Sequence, residues 1–354
     1  MLRAFNHGAV SVLRTRKAPI KPWRKPIIRR SMNQLGALWP VSDYTLGGGG
    51  IGQVWGSTDR AEAIATVQAA VDHGVTLLDL APMYGRGEAE SVVGAAFDGS
   101  LPDGIRVTSK CLLATDTTEA IADRLEKSIL RSLDSLRAEH IDLFFLHSQI
   151  ILDDYQFPTP LNETQTQWSV TQQCFDEAVR PAFEALIKRG LIGAWGVTGT
   201  GHPDAIEQIL ASDKPPQAVQ LISNLLDSPG GIKRYPEAAR QRALMAQAAA
   251  NGIGVMGIRA VQAGALCLEF DRPIAMDHPE MLDYERAAPF RALCQTWAMD
   301  PAIVAHRYAL AMQGVSTVVL GVKNRQELMA CLDGGGPLSM EQIASIDALG
   351  LQRP

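Results

Sequence analysis

Beyond residue 33 the chain alternates short apolar runs with longer stretches of helical period. The apolar runs fall at 76–80 (TLLDL), 106–110 (RVTSK), 141–147 (IDLFFLH), 193–198 (GAWGVT), 218–222 (AVQLI), 254–258 (GVMGI) and 317–322 (TVVLGV). The glycine-rich run 46–56 (LGGGGIGQVWG) supplies an eighth. Strands this continuously apolar suit a parallel sheet covered on both faces. Between them, 59–73 opens on acidic residues and stops at Gly74, and 235–251 stops before Gly252, both in the manner of glycine C-caps. Segment 119–136 has Asp116, Thr117 and Thr118 ahead of it as caps, with Ile121, Leu125, Ile129 and Leu133 spaced four apart on one buried stripe. Eight strand–helix units in series predict an α/β fold of the parallel (β/α)8 TIM-barrel type, over residues 34–354.

The rhythm fails twice. Residues 147–171 are polar and carry Tyr155, Phe157, Trp168, Pro158 and Pro160. A long loop after the fourth strand lies on the face where barrels carry their active sites, so it is expected to act as a substrate lid. A second irregular stretch, 262–288, follows a strand and would flank the same mouth.

Composition adds one asymmetry. The chain of 354 residues has a net charge of −5, but residues 1–42 hold nine Arg or Lys and no Asp or Glu. Residues 1–33 are therefore set apart as a basic extension. It is either a disordered leader, with Met32 as an alternative start, or a targeting segment; an Arg-rich, acid-free stretch with Ser and Thr has the composition of an organelle transit peptide. The acidic remainder argues against nucleic acid as the main partner. No apolar run approaches the ~18 residues of a membrane helix, so no membrane association is expected. Cys111, Cys174, Cys267, Cys294 and Cys331 form no C-x-x-C pair, which excludes a zinc pattern and a disulfide framework and suits a reducing compartment. The expected location is cytoplasmic, or an organelle matrix if residues 1–31 are a transit peptide. The expected assembly is a monomer or weak homo-oligomer.

Candidate chemistry sits at successive strand ends: Asp79, with Tyr84 five residues on, then Lys110, then His147. Each alone would be an ordinary cap, packing group or solvated charge. A barrel gathers strand ends, so four ionisable groups would share one mouth. Segment 77–94 (LLDLAPMYGRGEAESVVG) resembles the aldo-keto reductase signature, with Ala89 where the family has Ser before Glu90. VTSK, DLFFLHS, AVQLISNLLD and VVLGVKNRQEL resemble four further family segments, in order, and the likeness runs from about Tyr44 to Leu349. The resemblance implies that Tyr84 exchanges a proton with the substrate oxygen, that Lys110 lies beside it held by Asp79, and that His147 orients the carbonyl and assists proton transfer. A phenol titrates near 10, and a neighbouring ammonium favours its phenolate; reaching about 7 would take roughly 4 kcal/mol.

The same resemblance implies a nicotinamide cofactor, NADP(H) or possibly NAD(H), and no metal. GGGG lacks the spacing of a Rossmann turn and is instead similar to the family's first-strand loop, placing Gly50 and Ile51 against the cofactor. Thr198 and Gln220 would hold the carboxamide, with Gly199 standing where many members have Asn. Ile258 would pack on the nicotinamide, and Arg259 could reach the pyrophosphate or an anionic substrate. Gly321, Lys323 and Arg325 would meet the adenosine end, where Glu327 opposes a 2′-phosphate. The expectation is dual cofactor use with a modest NADP(H) preference. The reaction expected is hydride transfer between NAD(P) and a small carbonyl, hemiacetal or alcohol: a sugar, aldehyde or ketone. A catalytically idle, cofactor-binding regulatory subunit is the alternative. An unrelated barrel enzyme such as a phosphate-handling isomerase is a third reading, since barrels host many chemistries.

Overall fold

The computed structural model describes residues 32–113, 117–158 and 165–353. Eight parallel strands close into a barrel. In chain order they are β3 (Tyr44–Gly47), β4 (Leu77–Asp79), β5 (Arg106–Cys111), β6 (Ile141–Leu146), β9 (Ile192–Thr198), β10 (Ala218–Ile222), β11 (Gly254–Ile258) and β12 (Val315–Leu320). β12 pairs with β3 to close the ring. The barrel strands are buried almost throughout, as parallel strands packed on both faces are, with polar side chains such as Asp79, Thr108, Ser109, Lys110 and Gln220 set among the apolar ones. Asp142 is a local exception with a structural task. Its carboxylate accepts the Val107 N–H at 2.9 Å and prolongs the β5–β6 pairing by side chain.

Helices α2 (Arg60–Asp72), α3 (Glu88–Ala96), α4 (Ile121–Leu136), α5 (Arg180–Lys188), α6 (Pro203–Leu210) and α7 (Gln241–Ala250) alternate with the strands. Farther along lie α8 (Pro279–Arg286), α9 (Ala288–Thr296), α10 (Pro301–Ala311), α11 (Arg325–Asp333) and α12 (Met340–Asp347). Asp59 caps α2 by accepting the Glu62 N–H at 2.8 Å. α4 buries the expected stripe of Ile121, Leu125, Ile129 and Leu133, but a 3-10 turn at Thr118–Ala120 precedes it and no side chain caps it; Asp116 lies outside the described residues. The helix expected at 235–251 begins only at Gln241. Arg240 is left-handed there, and the Gln241 amide oxygen accepts the Ile222 N–H, so the side chain serves β10 rather than continuing a helix backwards.

The glycine run also differs from the expected strand. β3 ends at Gly47, and Gly48–Ile51 makes one helical turn, α1. The cause is proximity: a Cβ on Gly50 would stand 1.8 Å from the Val322 carbonyl oxygen, and one on Gly47 2.6 Å from that of Leu320. Only bare backbone fits against the end of β12.

Two small sheets decorate the barrel. β1 (Met32–Gln34) and β2 (Pro40–Ser42) form an antiparallel hairpin, and β7 (Gln149–Ile151) and β8 (Ser169–Thr171) pair in parallel. The hairpin turns Leu35 and Val41 inward against Leu77, Leu143, Phe145 and Met256, sealing one end of the barrel interior. Asn33 donates to Asp43 and to the Ser316 carbonyl. Residues 32 and 33, assigned to the basic extension on sequence, thus take part in the fold; residues 1–31 lie outside the described residues. The β7–β8 pair gives order to a stretch in which no periodicity is visible on sequence.

Leu35 is fully buried in this plug. Leu35→Ala should therefore lower unfolding free energy by about 2–5 kcal/mol, the range for a core leucine truncation. Urea titration checks this, and a loss under about 0.5 kcal/mol, the scale of a surface substitution, would mean the hairpin does not seal the core.

Candidate active site

The strand ends bring Asp79, Lys110, Tyr84 and His147 to one mouth. Asp79 closes β4, and its Oδ1 accepts three donors: Thr108 Oγ1 at 2.7 Å, Lys110 Nζ at 2.8 Å and Gln220 Nε2 at 2.7 Å. Lys110 is fully buried and also donates to the Leu80 carbonyl at 2.8 Å. Burial works against its charge, but Asp79 and Tyr84 outweigh that penalty and hold the ammonium above the usual lysine range.

Tyr84 opens a tight turn, Tyr84–Gly87, in which Gly85, Arg86 and Gly87 all have positive φ. The turn sets its ring edge-on to His147, centroids 6.1 Å apart, with Lys110 Nζ 4.9 Å from the ring centre. Burial pushes the Tyr84 phenol above its ordinary value; the Lys110 charge pulls the other way without prevailing. The phenol is thus an intact acid across neutral pH, rather than a group poised near 7. Burial, and then Lys110, depress the His147 imidazole to about 3. A neutral imidazole can hydrogen-bond a carbonyl oxygen but holds no spare proton at neutral pH. That favours the orienting part of the role inferred for it over the proton-transfer part.

Around this core the expected cofactor residues separate. Thr198 and Gln220 are register partners on β9 and β10. Gln220 spends its amide N–H on Asp79, and Thr198 donates to the Leu146 carbonyl. Gly199 has its reason nearby, since a Cβ there would meet Leu221 at 2.5 Å. Gly50 and Gly321 lie against each other with Trp55 at their edge, about where a Cβ of Gly321 would reach 3.4 Å. Ile51 instead turns its side chain into the core. Ile258 ends β11, partly buried.

Arg259 does not reach out toward an anion. It is left-handed, with Nη2 on Glu280 at 2.7 Å and Nε on Gln262 at 3.0 Å, an ion pair largely out of water. The cations after β12 are also engaged. Lys323 Nζ lies 3.4 Å from both Asp271 and Glu327, and Arg325 pairs with Glu62 at 2.7 Å. Glu327 folds back to accept the Lys323 backbone N–H at 2.8 Å. Glu62, Asp271, Trp55 and Thr108 are neighbours that sequence reasoning missed. Glu62 is 263 positions from Arg325, and no local pattern signals that pairing.

The excursion after β6 packs Tyr155 on His202, ring centroids 4.7 Å apart, and on Phe157. Asp153 accepts the Gln173 N–H. Residues 159–164 within the expected lid lie outside the described residues. Among the described residues there is no group of His, Cys, Asp or Glu able to hold a metal ion, and no helix long and apolar enough to cross a membrane.

A closed parallel eight-stranded barrel thus carries Asp79, Tyr84, Lys110 and His147 together at one mouth. A sequence profile described as Aldo/keto reductase family matches residues 44–350, and the chain belongs to that family. It is 25% identical to L-galactose dehydrogenase of Arabidopsis thaliana over 327 residues, covering 87% of this chain and 90% of that one. It is 31% identical to aldo-keto reductase YhdN of Bacillus subtilis (strain 168) over 130 residues, which is 35% of this chain and only 37% of that protein. Among solved structures it resembles aldo-keto reductase AKR11C1 from Bacillus halodurans in its holo form, with TM-score 0.67, 20% identity and coverage of 91% and 96% of the two chains. It also resembles the glycerol dehydrogenase AKR11B4 from Gluconobacter oxydans, with TM-score 0.65, 23% identity and coverage of 90% and 94%. An aldo/keto reductase from Klebsiella pneumoniae in complex with NADP and acetate matches at TM-score 0.62, 21% identity and coverage of 91% and 96%.

Two imidazoles with depressed pKa make stability depend on pH. His147 is depressed to about 3 and His306, on α10, to about 4, both from 6.5 and chiefly by burial. The unfolded chain therefore binds protons below 6.5 that the folded chain refuses. The stability these groups contribute is full above pH 6.5 and drains away as pH falls toward 4 and then 3. Urea midpoints should decline through that window, less steeply in His306→Gln. An unchanged slope in that variant would show that His306 is not held neutral.

Proposed function

We propose that the protein catalyses hydride transfer between NAD(P) and the carbonyl or alcohol carbon of a small sugar, aldehyde or ketone, with Tyr84 as general acid or base. The observation that carries this reading is the buried Asp79–Lys110 pair, with the half-buried Tyr84 ring over Lys110 and a neutral His147 beside it. In reduction the phenol gives its proton to the substrate oxygen. The phenolate left behind stands next to Lys110, whose charge Asp79 preserves. In oxidation the same pair runs in reverse. His147 donates a hydrogen bond that fixes the carbonyl oxygen.

The residues fit a nicotinamide dinucleotide. Gly321 is exposed at the barrel rim beside Trp55, with Lys323 and Arg325 following it in the chain, whereas Gly50 is packed behind it against the Val322 carbonyl. When bound, the nicotinamide supplies or takes the hydride. The chain's part is to position it, through Thr198, the free face of Gln220 and the side of Ile258. An assembly of the intact acid–lysine–phenol chain favours an enzyme over an idle subunit. We place the reaction in a small-molecule enzyme of monomeric or weakly oligomeric form, acting in the cytoplasm or, with a cleaved leader, an organelle matrix.

Tyr84→Phe should lower kcat about 10²–10⁴-fold, the usual weight of a general acid–base group, while cofactor affinity stays within a few-fold. Steady-state rates at 340 nm across aldehydes and sugars measure the first, tryptophan quenching by cofactor the second. Wild-type rates in this variant would remove the reading.

Both nucleotides are expected to bind, with only a modest preference for NADP(H), because Lys323 and Arg325 are already shared with Glu327, Asp271 and Glu62. Glu327→Arg or Glu62→Gln should tighten NADP(H) by about tenfold, roughly one charge-assisted hydrogen bond, and barely alter NAD(H), which lacks the 2′-phosphate. Isothermal titration of both nucleotides decides; equal changes would show that these residues do not sense the 2′ position.

A further inference from the structure

Glu90 is a buried acid that the proposed reaction does not use. It lies six positions after Tyr84, in the first turn of α3, and is fully buried. Glu88, in the same turn, pairs with Arg60 at the surface. Glu90 instead bonds inward. Its Oε1 accepts the Ser109 hydroxyl of β5 at 2.6 Å, and Ser109 Oγ lies 3.3 Å from Ser132 Oγ on α4. Its Oε2 is also buried and has no hydrogen bond among the described residues. A carboxylate ion so sparsely bonded out of water would be costly. Burial accordingly pushes the Glu90 carboxyl above its ordinary value; the Ser109 and Ser132 hydroxyls, with the charges of Lys110 and Arg131, pull it back without prevailing. As mere filling, an acid is a poor choice here, because an unbonded buried polar atom carries a penalty that a leucine of similar volume avoids.

What the carboxyl joins is the two halves of the Tyr84–Lys110 contact. Successive residues of a strand face opposite sides. Thr108 and Lys110 turn into the barrel and bond Asp79, so Ser109 between them turns outward to the helices, where Glu90 meets it. Tyr84 belongs to the other half. The turn that carries it runs straight into α3, through Gly87 at φ 94° with no side-chain cap. Gly94, four residues beyond Glu90 on the same helix face, passes so near α4 that a Cβ would stand 2.6 Å from the Ser135 carbonyl oxygen. Glu90 and Gly94 thus fix α3 at two points, and Glu90 is the one nearer the Tyr84 turn.

We propose that Glu90 is a positioning residue: through its bond to Ser109 it fixes the Tyr84 turn against the strand that carries Lys110, and so sets the geometry of phenol and ammonium. It acts by accepting that bond, not by charge. The proposal rests on the catalytic reading of Tyr84 and Lys110. The turn is also braced at Gly85, where a Cβ would stand 2.3 Å from the Gly52 carbonyl oxygen, so losing Glu90 loosens the geometry without abolishing it.

The test uses the full chain. Glu90→Leu keeps the volume and removes the acceptor, Glu90→Gln keeps a carbonyl acceptor, and Ser109→Ala removes the donor. In Glu90→Leu and Ser109→Ala kcat should fall about tenfold, part of the ~10²-fold that a misplacement of about 1 Å can cost. KM should stay nearly unchanged, since neither residue touches substrate. Combining the two should slow the enzyme no further, as for residues that share one interaction. Glu90→Gln should stay close to the wild-type rate. The urea midpoint of Glu90→Leu should match or exceed that of the wild type, so rate and stability part company. Tyrosine 13Cζ NMR, with the Tyr84 signal assigned by Tyr84→Phe, reads the phenol's surroundings without turnover. That signal should move at neutral pH in Glu90→Leu and Ser109→Ala and return in Glu90→Gln. Wild-type kcat in Glu90→Leu and Ser109→Ala, an unmoved Tyr84 signal, or a Glu90→Gln variant as slow as Glu90→Leu each overturns the proposal. So do kcat losses that follow the urea midpoints across the variants. If the wild-type protein turns over no carbonyl, the catalytic reading fails, and the Tyr84 signal alone then upholds or overturns the positioning by Glu90.

Discussion

Everything at the mouth depends on the buried contact between Asp79 and Lys110. An ammonium with no solvent exposure would shed its proton unless a counter-charge met it, and breaking such a pair by removing one partner costs about 3–5 kcal/mol. Oδ1 of Asp79 accepts Lys110 together with Thr108 and Gln220, so β4, β5 and β10 converge on a single oxygen. The barrel's closure makes this possible, because β4 and β10 are not neighbours in the sheet and meet only across its interior. The charge kept on Lys110 then acts in two directions. It steadies the phenolate that would follow proton transfer from Tyr84, and it helps keep His147 neutral.

A second constraint is backbone proximity at the rim. β3 and β12 close the ring, and the chain leaving β3 must pass the end of β12 with no side chain between them. Gly47 and Gly50 satisfy this, and the chain coils into a helical turn instead of extending. Beyond it the ion pairs of Lys323 and Arg325 show why a basic motif read alone overstates the available charge. A cation already matched by carboxylates has less to offer a phosphate, and the matching residues come from α2 and from the segment after β11.

The βα rhythm, the barrel and the four strand-end groups were legible in the amino-acid sequence because each follows from local periodicity. Continuous apolar runs make buried parallel strands, and a polar residue ending such a run must emerge at the barrel's end. Asp79, Lys110 and His147 were found by that rule, and Tyr84 by its place in the turn behind Asp79. The buried stripe of α4 was equally plain. What the sequence could not decide is who meets whom across long separations. Arg259 looked available for an anion and is held by Glu280. Ile51 looked like a rim residue and packs in the core. Residues 32 and 33 looked like tail, yet Met32 pairs with Ser42 and Asn33 is tied to Asp43 and Ser316. The order in 147–171 comes from two strands that pair only with each other, and the start of α7 is set by a glutamine that bonds a neighbouring strand. Periodicity is a property of one segment and is written in its own residues. Ion pairing, close backbone approach and the setting of a titrating group depend on several segments at once, and only the closed barrel brings those segments together.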